Sequence, residues 1–252
     1  MRPLWLLLIL TALMLPASLA RGALNPVRRS RQCIVVLAPN WNSTNGVLRA
    51  FERESASGPW KPRGPEIPVV LGKKGLGWGL GIVNADAGAK PRKIEGDNKV
   101  PAGLFRLTSV FGYATAKSAS WVRLPYLPVT KNSEGVDDPR SRHYNRIVDR
   151  TKVARIDWRS SEQMRRDDRL YKWGVVVDHN PGAVPGAGSM IFFHVWKSSS
   201  SPTAGCTAMP EKDLVNLIRW LDPAARPILA QMPRESYAVF QSKYDLPEIS
   251  PR

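Results

Sequence analysis

Through most of this chain apolar and polar residues alternate, or apolar residues run together briefly; helical spacing occurs clearly in one place. "QCIVVLA" (32–38) is an apolar run of strand length, and "VLRAFER" (47–53) alternates. Between them "NWNSTNG" carries turn residues, with Asn45-Gly46 a hairpin signal. "IPVVLG" (67–72), "WGVVV" (173–177), "GSMIFFHVW" (188–196) and "PILAQM" (227–232) are further strand candidates. "VPAGLFRLTSVFG" (100–112) reads as a Pro-Gly turn feeding a strand, with Leu104, Arg106 and Thr108 on one face and Phe105 and Leu107 on the other. The helix is expected from Pro210, where Leu214, Leu217, Ile218 and Leu221 share a face and Asp222-Pro223 ends the pattern. Residues 125–160 are polar and irregular. These elements predict one mainly β (α+β) domain over residues 32–240 with at least one packed helix, followed by a tail over 241–252.

The glycines at 75, 77, 79 and 81 space as G-x-G-x-G-x-G, with no GK[ST] behind them, so a dinucleotide or P-loop reading fails on spacing. Alternation with Leu76, Trp78 and Leu80 instead predicts a strand or bend pressed against another backbone.

The first 20 residues read differently. Arg2 precedes about a dozen apolar residues, and "PASLA" ends in small residues at the positions a signal peptidase reads. The run is short of the roughly 20 residues of a membrane span. A secretory signal over 1–20, cleaved after Ala20, and a linker over 21–31 are therefore expected. That places the mature chain in the periplasm or cell wall, with no stable membrane insertion. The export signal also changes the meaning of the charge. A formal +16 would in the cytosol raise nucleic acid as a partner; outside it, an anionic envelope polymer or lipid head group is the expectation, and no nucleic acid.

The chain has two cysteines and three histidines. Cys33 sits in a buried-strand pattern, whereas Cys206 lies in a Gly/Thr-rich turn just before the helix. A disulfide between them would need a geometry that sequence does not supply. A thiolate needs positive potential, and a nucleophile needs a base within hydrogen-bond reach. His194 ends a strand 12 residues before Cys206, and "VWKSSSSPTAG" is long enough to turn the chain back. On the residues alone, nucleophilic pair, buried filler and satisfied strand-end histidine all stay open. His143 and His179 read as solvent-facing or structural. No compact metal motif such as H-E-x-x-H occurs, so no metal or other cofactor is expected, although a zinc peptidase using His143, His179, His194 and Asp178 is a formal alternative. Tyr144 and Asn145 in the long polar segment are candidate substrate contacts or loop packing.

The segment from His194 to Cys206 resembles the signature of the L,D-transpeptidases, the YkuD-like catalytic domain. His194 matches the family's histidine, and Thr203, Gly205 and Cys206 match its terminal Ser/Thr-x-Gly-Cys. Pro101, Gly103 and Phe105 match a T-P-x-G-x-F element in which Val100 replaces Thr. Ala204 and Ala208 depart from the histidine and arginine that many members carry there, which marks a divergent branch. The resemblance implies a YkuD-like β-sandwich of mixed sheets. It also implies a Cys206 thiolate that attacks a peptidoglycan stem peptide, releases D-Ala and passes the acyl group to an amine. His194 would move the proton, and backbone N–H groups around Gly205 and Cys206, beside Thr203, would hold the oxyanion. Hydrolysis on the same fold, by an L,D-carboxypeptidase or amidase, and an inactive wall-binding module are the competing readings.

Overall fold

The computed structural model describes residues 25–86 and 88–249; the expected signal segment lies outside them. Thirteen strands form as β1 (Gln32–Ala38), β2 (Asn45–Glu52), β3 (Lys61–Val70), β4 (Leu76–Trp78), β5 (Val100–Gly112), β6 (Tyr126–Pro128), β7 (Ser133–Val136), β8 (Arg146–Asp149), β9 (Ser161–Gln163), β10 (Trp173–Val177), β11 (Phe192–Val195), β12 (Thr207–Met209) and β13 (Ile228–Pro233). Two helices, α1 (Glu211–Trp220) and α2 (Arg234–Tyr244), pack outside them. Mainly β with mixed sheets is thus the observed class. No helix among the described residues is long and apolar enough to cross a membrane.

The main sheet runs β10-β11-β12-β3-β2-β1-β13-β5, and β5 pairs again with β10, so the path closes on itself. β5 makes this possible by its length of 13 residues. Its first half pairs with β13 on one edge and β4 on the other, and its second half with β10 and β6. One strand thereby joins the two ends of the path. Arg106 and Thr108 face solvent while Phe105 and Leu107 are buried, the alternation expected of a half-buried strand. β1 is buried throughout, as its unbroken apolar run requires.

α1 starts after Pro210 and buries Leu214, Leu217 and Ile218. α2 was not visible in the periodicity, because Tyr237 is its one buried residue. The expected irregular segment holds a small antiparallel sheet, β8-β7-β9. Its strands have three or four mostly polar residues, too short for a period to register. Asn45-Gly46 opens β2 rather than sitting at the hairpin tip, which lies at residues 39–44. The flanks predicted as linker and tail also contribute to the main core, through Val27 and Leu246.

The glycine-rich stretch is a bend pressed against backbone, as its spacing predicts. A Cβ on Gly75 would lie 2.0 Å from the Trp41 carbonyl oxygen, and one on Gly81 would lie 2.2 Å from that of Leu104. A second, smaller apolar cluster forms under the β7–β9 sheet from Phe111, Val129, Met164, Tyr171, Met190 and Phe192, and it includes Cys206.

Candidate active site

β11 and β12 are parallel neighbours, with Phe193 opposite Thr207 and His194 opposite Ala208. Cys206 is the residue before β12, so it falls beside Phe192, two residues from His194 and on the same face. The Cys206 Sγ accepts a hydrogen bond from the Phe192 N–H at 3.3 Å and donates its proton to the Met190 carbonyl at 3.4 Å. Both Cys206 and His194 line a cavity of about 450 Å³. Two larger cavities, of about 890 and 750 Å³, contain neither residue.

The imidazole is oriented by its own strand. Nδ1 lies 2.8 Å from the Val195 carbonyl oxygen. A carbonyl can only accept, so Nδ1 carries the proton and Nε2 keeps the free lone pair. The ring also meets the edge of Tyr171 at 5.3 Å. Burial pushes the His194 pKa down to about 4. Burial, then the Glu162 carboxylate, pushes the Cys206 thiol up to about 12, opposed by the Phe192 N–H and the cations Lys93 and Arg166. In the free protein the pair is therefore neutral thiol and neutral imidazole.

Thr203 and Gly205 shape the turn before the thiol. The Thr203 hydroxyl donates to the Cys206 carbonyl at 2.6 Å and accepts the Gly205 N–H at 3.2 Å. Gly205 has φ 151°, a region that side chains rarely adopt, and a Cβ there would approach the Lys99 carbonyl to 3.1 Å. Because the Gly205 N–H is given to Thr203, the amide beside it is the one left over: the Cys206 N–H has no hydrogen-bond partner among the described residues.

Tyr144 and Asn145 do not line the cavity; they stand behind it. The Tyr144 hydroxyl donates to Glu95 and accepts the Gly188 N–H. Asn145 donates to the carbonyls of His179 and Asn180, and its Oδ1 accepts the Met190 N–H. Met190 has φ 53°, a left-handed conformation that costs a non-glycine residue about 1–2 kcal/mol. Asn145 thus pins the strained residue whose carbonyl receives the Cys206 proton.

His179 is buried, between the Leu80 N–H on Nδ1 and the Ala187 carbonyl on Nε2. His143 packs edge-on against Trp158. Asp178 lies 4.0 Å from Arg106. No group of three His, Cys, Asp or Glu side chains is placed to hold a metal ion among the described residues. Cys33 and Cys206 are both free thiols, with Cys33 inert inside β1.

Several cavity residues escaped sequence reasoning. Glu162 on β9 accepts from the Tyr171 hydroxyl at 2.6 Å, and its carboxyl pKa is raised by burial. Arg166 is clamped by Asp168 through Nε at 2.9 and 3.1 Å and lies 5.2 Å over the Tyr171 ring. Asp137 also lines the cavity, and its Oδ1 is buried without a partner. All come from the polar segment between β5 and β10, where neither period nor motif singled them out.

Fold and site together define a class, a closed mainly-β domain in which adjacent strands bring a thiol and an imidazole into one polar cavity. A family model described as the YkuD L,D-transpeptidase catalytic domain matches residues 60–229, and the chain belongs to that family. The family implies an L,D-transpeptidase-type enzyme for peptidoglycan peptides. Comparison with curated proteins and with solved structures gave no match.

Proposed function

We propose that this protein is an exported cysteine acyltransferase that acts on peptidoglycan stem peptides, with Cys206 as nucleophile and His194 as its base. The supporting observation is the neutral pair in one cavity, with the imidazole tautomer set by the Val195 carbonyl so that Nε2 can take a proton.

The reaction starts from the thiol, whose S–H donates to the Met190 carbonyl. As Sγ bonds to the carbonyl carbon between the stem's third residue and the terminal D-Ala, the proton passes to Nε2 of His194. The C–N bond then breaks, and the imidazolium protonates the departing D-Ala amine. A thioester remains on Cys206. An amine of a second stem peptide attacks it, giving its proton to His194, which passes that proton to the departing Sγ and so restores the thiol. The Cys206 N–H is the donor available for the oxyanion, a contribution of about 3–4 kcal/mol in a protease precedent. Asp137, with its buried unpartnered oxygen, suits an ammonium or amide N–H of the bound peptide.

Incubating muropeptides with the protein and following products by mass spectrometry tests this reading. D-Ala release and a cross-linked product are expected from the wild type, and neither from Cys206→Ala. Release of D-Ala with no amine-linked product would move the assignment to hydrolysis. Release that persists in Cys206→Ala would remove the thiol mechanism.

A further inference from the structure

A cavity of about 890 Å³ shares no residue with the thiol site, and four arginines line it: Arg28, Arg29, Arg106 and Arg226. No Asp or Glu does so among the described residues. They come from three separate segments. Arg28 and Arg29 sit on the turn before β1, Arg106 projects from the solvent face of β5, and Arg226 precedes β13, where Ile228 pairs with Arg106. Arg106 has one distant partner, Asp178 at 4.0 Å. Arg28, Arg29 and Arg226 have no carboxylate within ion-pair distance among the described residues. Asp222 and Glu54, one and two residues from the lining Pro223 and Ala56, are engaged by Arg123 and Lys61, and Asp245 after α2 by Arg53.

The turn that carries two of these arginines is held from inside. The side chain of Arg53 is buried, and its Nε and Nη2 donate to the carbonyls of Ser30 at 2.8 Å and Arg28 at 2.7 Å. Asn25 caps the same turn through the Val27 N–H and ties it to α2 through the Tyr244 carbonyl. The Arg31 N–H bonds the Ala225 carbonyl, which joins the turn to the segment bearing Arg226. Arg226 itself is left-handed, at φ 51° and ψ 63°, where glycine would sit without strain. Like charges are thus brought together on a fixed frame, in a chain of net +16.

We infer that this cavity binds a linear phosphate-bearing polymer. Guanidinium forks match phosphate oxygens in pairs, and the volume exceeds what one phosphate needs. A lipid surface fits less well, because the large exposed apolar residues Ile94, Leu127, Ile156, Val184 and Val239 are all outside the cavity. The inference does not rest on the thiol chemistry.

Fluorescence anisotropy of labelled inorganic polyphosphate with the full chain tests it, beside poly-glutamate and vesicles containing phosphatidylglycerol. Arg29→Ala and Arg226→Gly are measured singly and together against the double variant Lys117→Ala/Lys131→Ala, which removes the same charge from exposed positions outside the cavity. The arginine pair is expected to weaken polyphosphate binding at least tenfold, the lysine pair less than twofold, and rising salt to weaken the wild type. Arg226→Gly should keep its thermal midpoint, since it relieves a left-handed arginine, so loss of binding there is loss of the site. Arg29→Ala, on an exposed turn side chain, supplies the second reading. Cys206→Ala should bind as wild type. Equal losses for both pairs, no loss in the arginine pair, poly-glutamate binding as tight as polyphosphate, or binding to vesicles alone would each overturn the inference.

Discussion

Single atoms decide whether Cys206 can act. Its thiol is pushed up to about 12 and the His194 imidazole down to about 4, so neither is charged at neutral pH before substrate arrives. Alkylation of Cys206 by iodoacetamide should therefore rise about tenfold per pH unit between pH 6 and 10, because only the thiolate reacts. A plateau below pH 8 would mean that a thiolate–imidazolium pair already exists. Gly205→Ala should lower activity strongly: φ 151° resists a side chain, and the Lys99 carbonyl occupies its space. Strain of this kind costs about 1–3 kcal/mol. Thr203→Val should lower kcat more than thermal stability, since it frees the Cys206 carbonyl and the Gly205 N–H, both on the turn that carries the thiol. Tyr144 and Asn145 show how far residue types alone carry such a reading. Residue type offered both substrate contact and loop packing for them; their hydrogen bonds run to Glu95, Gly188, His179, Asn180 and Met190, a geometry that local sequence does not encode.

At the scale of elements, the site depends on β10, β11 and β12 lying flat against one another. Gly174 on β10 pairs with His194 on β11, and a Cβ there would lie 2.2 Å from the Phe111 ring. Gly174→Ala should cost about 1–3 kcal/mol through overpacking and reduce D-Ala release, with Phe111→Leu in the same chain restoring part of both. Leu214→Ala on α1, fully buried in the main core, should cost about 2–5 kcal/mol in urea unfolding. The elements that sequence revealed are those whose burial is continuous or periodic: β1, apolar and buried along its length, the alternating centre of β5, and α1. Those it hid are short or lie on one side of the core. β7, β8 and β9 hold together by cross-strand pairing and by bonds such as Trp158 Nε1 to Glu134 at 2.8 Å, and these depend on chain segments brought from afar. His194 and Cys206 were legible because one strand-loop-strand unit carries both. Glu162 and Arg166 were not, because β9 of the small sheet and the loop after it deliver them.

The whole molecule carries two buried neutral histidines, His179 and His194, each pushed down to about 4 from an ordinary 6.5 by burial. The unfolded chain takes up protons first as pH falls, so this contribution is complete above pH 6.5 and is lost toward pH 4. It amounts to about 3 kcal/mol per histidine at most. Urea midpoints should fall across that window, and His179→Gln should flatten the fall; an unchanged midpoint from pH 7 to 4 would contradict the buried neutral state. The strong net charge belongs to this scale as well: four of its 37 Lys and Arg residues line a cavity that has no Asp or Glu among the described residues and shares no residue with the thiol site. The central claim, that a family member with this cavity works through a Cys206 thioester, is tested most directly by intact-protein mass spectrometry during turnover of a tetrapeptide muropeptide. An adduct equal to the donor minus D-Ala is expected, mapped to the peptide containing Cys206 and missing from Cys206→Ala. Turnover with no adduct on Cys206, and undiminished in Cys206→Ala, would contradict it.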